Sequence, residues 1–254
     1  MHGKCVPLQD KIREEMRYAV IAAGEGSRLK EEGIDVPKPL VKVHGECLID
    51  RLVRIFLANK ATEIVVICNG ITPLVSQHLD RLGKYGLDGK AVPLRYMVKT
   101  TPSSMHSFYE ISPYLEPTPF VLTTVDTIFP EGEFAEYVKA FEAETKAGWD
   151  GLMGVTGFVD DEKPLYVDTD ERLAVRGFHD DNALNCPFVS AGIYGLTPDA
   201  LPILRNSVAN GESRMRNFQR AMVANGLKLK AWPFSKVFDI DHASDVKKAE
   251  DFLK

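Results

Sequence analysis

The sequence predicts an α/β fold: three layers, with a mostly parallel central sheet and a small antiparallel substrate-side extension. Three observations predict it. Short, mostly apolar runs recur at residues 18–23, 63–68, 94–98 and 120–125; the first is continuous and apolar, and the first two read as strands buried on both faces. Segments with helical apolar spacing alternate with them. The first and fourth runs lead directly into Gly24 and Asp126, so polar chemistry sits at the carboxyl edge, where sheets of this kind bind ligands.

Each element has its own signal. Residues 18–23 are the first strand, and a loop is expected from Gly24 to about Val43. Leu48, Ile49, Leu52, Val53, Ile55, Phe56 and Leu57 recur at helical spacing, which predicts a helix over 48–59. Residues 63–68 are a second strand, ended by Asn69-Gly70. Thr72 as cap and Pro73 at the first helical position predict a helix over 72–82, because the N–H that proline lacks would be unpaired there anyway. A third strand covers 94–98. Ser103 or Ser104 caps a helix to about 111, the fourth strand follows at 120–125, and a helix over 132–147 is closed by Gly148. The second half changes character: strands at 151–155, 165–168, 173–178 and 188–196 are joined by turns. Helices at 198–208 and 213–225, strands at 227–233 and 237–241, and a closing helix at 243–253 complete the chain. Neither a repeat nor a linker interrupts it, so 1–254 is expected to be one domain.

Composition narrows the function classes. Hydrophobic residues are 44% of the 254 and charged residues 26%, which suits a soluble globular chain with a sizeable core. The net charge of -5 argues against nucleic acid as a partner, since phosphate backbones attract basic surfaces. Cys5, Cys47, Cys68 and Cys186 form no Cys-x-x-Cys pair, so neither a zinc ribbon nor a disulfide framework is expected, and reduced thiols fit best. Met1-His2-Gly3-Lys4-Cys5 leads into charged residues without an apolar signal-peptide segment, and no apolar run approaches membrane-spanning length. The expectation is a cytoplasmic protein without a membrane partner; its oligomeric state is left open.

The chemistry-bearing residues begin with Ala22-Ala23-Gly24-Glu25-Gly26-Ser27-Arg28-Leu29. Glycines let the backbone approach phosphate oxygens and offer N–H donors to them, and Arg28 adds a charged fork. The loop lacks the Gly-Lys-Ser/Thr of a Walker motif, and Leu29 stands where a dinucleotide fold would place a third glycine. Downstream lies Val36-Pro37-Lys38-Pro39-Leu40. Its prolines stiffen the chain around Lys38, and a rigid lysine beside a phosphate loop can neutralise charge in a transition state. Each segment alone is compatible with an ordinary turn.

Together, the two segments resemble the signature of the sugar-phosphate nucleotidyltransferases, the nucleoside-diphosphate-sugar pyrophosphorylases, a family that includes phosphoalcohol cytidylyltransferases. The resemblance implies an NTP and a small phosphorylated acceptor as substrates, Mg2+ as cofactor and release of pyrophosphate. It divides the domain into a nucleotide-binding half at about 17–130 and acceptor-side and closing elements at about 131–254. It assigns Ala22 to Ser27 to the nucleotide, Gly24 and Gly26 cradling its phosphates. Arg28 and Lys38 become the catalytic cations, on the departing pyrophosphate and on the α-phosphate. Asp126, at the end of a strand and facing the crevice, offers a hard oxygen suited to Mg2+, and the family has its metal-binding aspartate at this place. A second metal ligand is expected in Phe238-Asp239-Ile240-Asp241, whose two aspartates would share one face of a strand. The cytidylyltransferase-like members favour Asp241; the hexose-phosphate members favour Asp239.

The loop Lys99-Thr100-Thr101-Pro102-Ser103-Ser104 is where the family meets the nucleobase, so Lys99, Ser103 and Ser104 are expected to bind nucleotide. His106 is given no proton-transfer role. Gly192, within Ser190-Ala191-Gly192-Ile193-Tyr194, is expected beside the acceptor, and a β-bulge would account for it equally well. There is one departure. Hexose-phosphate members often carry Glu-Lys-Pro after a short hairpin, and here that place reads Arg176-Gly177-Phe178-His179. Glu162-Lys163-Pro164 comes earlier and is read as coincidence. The departure and the Ser-Ser-Met-His-Ser segment lean toward CTP and a phosphoalcohol such as phosphocholine. Two other classes stay open: a nucleotide-binding regulatory protein without turnover, which the intact charged set argues against, and a dinucleotide-dependent oxidoreductase, which the missing third glycine argues against.

Overall fold

The structure is a computed structural model that describes residues 16–254; Cys5 and the rest of the leading segment lie outside the described residues. Strand β1 (Met16–Ala22) is central. It runs parallel to β4 (Ala61–Cys68) on one side and β6 (Phe120–Thr124) on the other, and β5 (Leu94–Val98) continues the sheet parallel to β4. Side chains along β1 alternate between the two faces, as the period of a strand dictates. Tyr18, Val20 and Ala22 pack with α2 (Leu48–Ala58), α3 (Pro73–Tyr85), α5 (Glu131–Lys146) and α8 (Ala243–Phe252). Ala19 and Ile21 pack with α4 (Ser104–Ile111), α6 (Ala200–Ala209) and α7 (Met215–Ala224). The result is three layers with an apolar core on each face of the sheet.

The antiparallel strands of the second half continue this same sheet. β11 (Phe188–Leu196) runs antiparallel to β6, with Ile193 opposite Thr123, and antiparallel to β8 (Gly151–Thr156) on its other edge. β12 (Leu229–Phe234) extends β8 in parallel, and β9 (Tyr166–Thr169) with β10 (Val175–His179) extends the near end of β11. The β11–β8 register slips between Ser190 and Tyr194, where Gly192 has φ +70°. Gly192 is therefore a bulge residue, a conformation that favours glycine.

Two stretches differ from expectation. The loop from Gly24 to Val43 contains a short helix α1 (Ser27–Glu31), a 3-10 turn over Lys38–Leu40 and a strand β2 (Lys42–Val43) that pairs with β3 (Glu46–Cys47). The strand expected at 237–241 is only β13 (Phe238–Asp239), because its antiparallel partner β7 (Thr127–Ile128) is itself two residues long; the Ile240 N–H then bonds the Asp126 carbonyl. Helix starts follow their caps. Thr72 accepts from the Leu74 N–H at 3.3 Å, and Ser103 caps α4 by accepting from the His106 N–H at 3.4 Å. Among the described residues, no helix is long and apolar enough to cross a membrane.

Candidate active site

A cavity of about 370 Å3 opens at the carboxyl end of β1. Its walls are Ala22 to Gly26, Lys38 and Pro39, the segment Thr101 to Ser104 with Ser107, and Asp126 after β6. Gly26 has φ +64°, and a Cβ there would come within 3.4 Å of the Lys38 Cβ. The turn thus needs glycine for its backbone conformation, while a Cβ would only reach contact with Lys38. Asn69, directly after β4, pins the loop: its Nδ2 donates to the Ala23 carbonyl at 3.2 Å and the Gly24 carbonyl at 3.0 Å. In the sequence Asn69 marks only the end of a strand; its role comes from β4 lying beside β1.

The electrostatic centre is Lys38. Its ammonium donates to Asp126 Oδ2 at 2.6 Å and Asp241 Oδ1 at 2.8 Å. Burial opposes its charge, but the two carboxylates outweigh burial and raise its pKa. Asp241 shows the reverse balance. Burial would raise its pKa, while the hydrogen bond and charge of Lys38 and the charge of Arg28 hold it below the usual carboxylate range. The Arg28 guanidinium lies 3.2 Å from Asp241 Oδ2. Asp239 faces Thr127 across the β13–β7 pair. It keeps an exposed edge, yet the protein packed around it, then the charges of Asp126 and Asp241, push its carboxyl up to about 8 against the opposing pull of Thr127 and Lys38.

A second cavity, of about 460 Å3, lies on the other side of Asp241. Arg28, Asp239 and Asp241 line it together with Thr156, Phe158, Ser190, Ala191 and Arg216. Glu162 and Lys163 line it as well, so the tripeptide read as coincidence supplies part of a wall. Arg216, which nothing in the sequence singles out, donates to the Lys163 carbonyl at 2.9 Å and pairs with Asp180. The two cavities meet across the Lys38–Asp126–Asp241–Arg28 set.

The family model for nucleotidyl transferases (NTP_transferase) matches residues 18–253. The chain is a member of the nucleotidyl transferase family. Its fold is similar to several solved structures. The inositol-1-phosphate CTP transferase from T. maritima superposes with a TM-score of 0.72 at 20% identity, over 96% of this chain and 98% of that one. A putative glucose-1-phosphate thymidylyltransferase from Bacillus anthracis gives 0.79 at 18% identity, over 93% and 94%. The CTP:phosphocholine cytidylyltransferase of Streptococcus pneumoniae gives 0.72 at 15%, over 94% and 99%.

In this nucleotidyl transferase, the expected residues fall into place unevenly. Ala22, Ala23, Gly24, Glu25, Gly26, Ser103 and Ser104 line the first cavity with Lys38 and Asp126. Ser27 opens α1 and is not part of that wall. Lys99 also stands apart, its ammonium paired with Glu110 on α4 at 2.6 Å. Ser103 is fully engaged: besides capping α4, its Oγ lies 2.9 Å from His106 Nδ1 and accepts from the Arg214 N–H at 3.4 Å. Gly192 does not line the second cavity, although its neighbours Ser190 and Ala191 do; its open side faces the Thr127 and Thr124 hydroxyls. Among the described residues no three His, Cys, Asp or Glu side chains converge as a metal cluster. Asp126 and Asp241 do converge on one ammonium, and one or two carboxylates are what Mg2+ takes from a protein when phosphates supply other ligands. The donor set therefore fits Mg2+ bound together with a nucleotide.

Proposed function

We propose that this nucleotidyl transferase moves the NMP group of an NTP to a small phosphorylated acceptor, a sugar-1-phosphate or a phosphoalcohol, and releases pyrophosphate. The observation that carries the reading is the Lys38 ammonium held between Asp126 and Asp241 where the two cavities meet. The triphosphate occupies the first cavity and the acceptor the second. An acceptor phosphate oxygen forms a bond to the α-phosphorus, and the bond from that phosphorus to the bridging oxygen of pyrophosphate breaks. A phosphate dianion is already nucleophilic, so no general base is required. Gly24 and Gly26 admit the phosphates close to the backbone. Lys38 stabilises the charge that builds on the α-phosphate, and Arg28 draws the departing pyrophosphate. Mg2+, held by Asp126 and Asp241, would add charge neutralisation across the phosphates, and the proposed compartment is the cytoplasm.

A second reading, CTP with a phosphoalcohol, draws on the place where hexose-phosphate members carry their glutamate. Here that place is Gly177-Phe178-His179 in β10, with Phe178 buried, and no carboxylate stands there.

The test is pyrophosphate release with Mg2+, each NTP in turn and a panel of sugar-1-phosphates and phosphoalcohols. One NTP and one acceptor should be required together, and Lys38→Ala should lower kcat by roughly 100- to 1,000-fold, as losing one preorganised charge donor does elsewhere. Lys38→Ala turnover equal to wild type would remove Lys38 from the mechanism. Absence of release across the panel, with NTP bound, would point to an acceptor outside the panel or to the regulatory alternative.

A further inference from the structure

Asp241 lies on a stretch that no strand holds, since β13 ends at Asp239 and α8 begins at Ala243. Three grips set its position. Lys38 and Arg28 hold its carboxylate at 2.8 and 3.2 Å. Asp245, inside α8, accepts from the backbone N–H groups of Asp241 at 3.1 Å and His242 at 2.8 Å, closing the first turn of the helix on itself. The third grip comes from outside the helix. Glu32, the residue that ends α1, places Oε1 2.6 Å from His242 Nδ1, and its Oε2 accepts the Ala243 N–H at 2.6 Å.

Arg28 in α1 and Glu32, its C-cap, lie four residues and about one turn apart, the Glu32 N–H bonding the Arg28 carbonyl at 3.1 Å, so they project from one side. One turn of chain therefore holds Asp241 twice, by its carboxylate through Arg28 and by the backbone just after it through Glu32. The same turn begins at Gly26, so the Gly-rich loop and the Asp241 segment are tied through α1.

We propose that Glu32 is a positioning residue of the transfer reaction, locking the start of α8 to α1 and so fixing Asp241 against Lys38 and Asp126. Its kinetic consequence rests on the nucleotidyl-transfer reading; its structural consequence does not. Glu32 and His242 are 38% and 41% exposed, and exposed ion pairs add little to stability. The contribution of Glu32 is geometry. A catalytic group misplaced by about 1 Å can cost about 100-fold in rate, even when the cause lies away from the chemistry.

Three variants separate the roles. Glu32→Ala removes the clamp. Glu32→Gln keeps an acceptor for the Ala243 N–H. His44→Ala removes a contact at the far end of α8, where His44 Nε2 lies 2.6 Å from the Glu250 carbonyl. Amide hydrogen exchange of the peptide spanning 238–246 is read alongside kcat, KM for NTP and Tm. Glu32→Ala should speed exchange in that peptide by about tenfold or more, since a local opening loses its latch. It should lower kcat by about tenfold or more, with KM for NTP within about twofold, because the first cavity is untouched. Tm should hold, Glu32→Gln should restore most of both effects, and His44→Ala should produce neither. Unchanged exchange in Glu32→Ala overturns the proposal. So does a kcat loss that only follows a fall in Tm, or one that His44→Ala reproduces. If the wild-type chain transfers no nucleotide, that result overturns the proposed function, and the exchange measurement still decides the role of Glu32.

Discussion

A glycine in the left-handed region and one outside it make different demands at the same loop. At Gly26, φ is +64° and a Cβ would come into contact with the Lys38 Cβ at 3.4 Å. Gly26→Ala should therefore lose about 1–2 kcal/mol in urea unfolding, the cost of a side chain in that conformation. Gly24 has neither constraint; a Cβ there meets nothing within 4 Å. Gly24→Ala should leave the urea midpoint in place and weaken NTP binding, because the added methyl occupies the cavity wall. Equal loss of stability in both variants would contradict this division. Asp239 carries a pH signature. Its carboxyl is pushed up to about 8 in the folded chain by the protein packed around it and then by the charge of Asp126, against about 3.9 when unfolded. Between those values the native state holds a proton that the unfolded state has lost, so this group's contribution falls as pH rises from about 4 to about 8. In chelator-treated protein, Asp239→Asn should raise Tm more at about pH 8.5 than at about pH 5. An equal gain at both pH values would remove the linkage. Gly24, Gly26, Lys38 and Asp126 were legible because each adjoins a strong strand or a stiff proline pair. The choice between Asp239 and Asp241 was not, because sequence spacing places them on one face while the chain leaves the strand after Asp239. Both aspartates then line the second cavity, and of the two it is Asp241 that the Lys38 ammonium bonds.

Elements show the same division between local and long-range causes. β1 and β4 announce themselves by strongly apolar runs, β5 and β6 by shorter, mostly apolar ones, and α3 and α4 by a threonine and a serine whose side chains do cap them. α1, the β2–β3 hairpin and the β7–β13 pair do not, for a physical reason. Strands of two residues and a helix of five are too short to show the period of their own type, and their partners, not their own composition, create them. The strand-end Asn69 belongs to this second kind. The β4–β1 pairing brings its amide to the Ala23 and Gly24 carbonyls. Each such bond contributes about 1 kcal/mol net. Asn69→Ala should accordingly raise the NTP dissociation constant by about tenfold, measured by calorimetry, with a smaller change in kcat since Lys38 and the aspartates stay in place. A dissociation constant equal to wild type would show that the loop holds its shape without β4.

At the scale of the molecule, the question is whether the nucleotide half and the acceptor half fold apart. The chain crosses from one to the other near residue 130, yet neither core respects that boundary. One face buries Tyr18, Val20 and Phe56 with Phe134, Phe141 and Phe234; the other buries Ile21 and Phe108 with Leu196, Phe218 and Leu229. The seam between them is a strand ladder, with β11 hydrogen-bonded to β6 from Ile193 to Leu196. A half that unfolded alone would expose both apolar faces of its partner and a full strand edge, so the halves should unfold together. Reporters on each side can test this. Both tryptophans, Trp149 and Trp232, lie in the second half, while Cys68 is fully buried on β4 in the first. In urea, tryptophan fluorescence and Cys68 thiol labelling read by mass spectrometry should give one shared midpoint. If labelling of Cys68 led or lagged the fluorescence, the chain would be two cooperative units. The acceptor half could then move against the nucleotide half about the β6–β11 seam, and the distance between Asp126 and Asp241 would become a variable of the reaction.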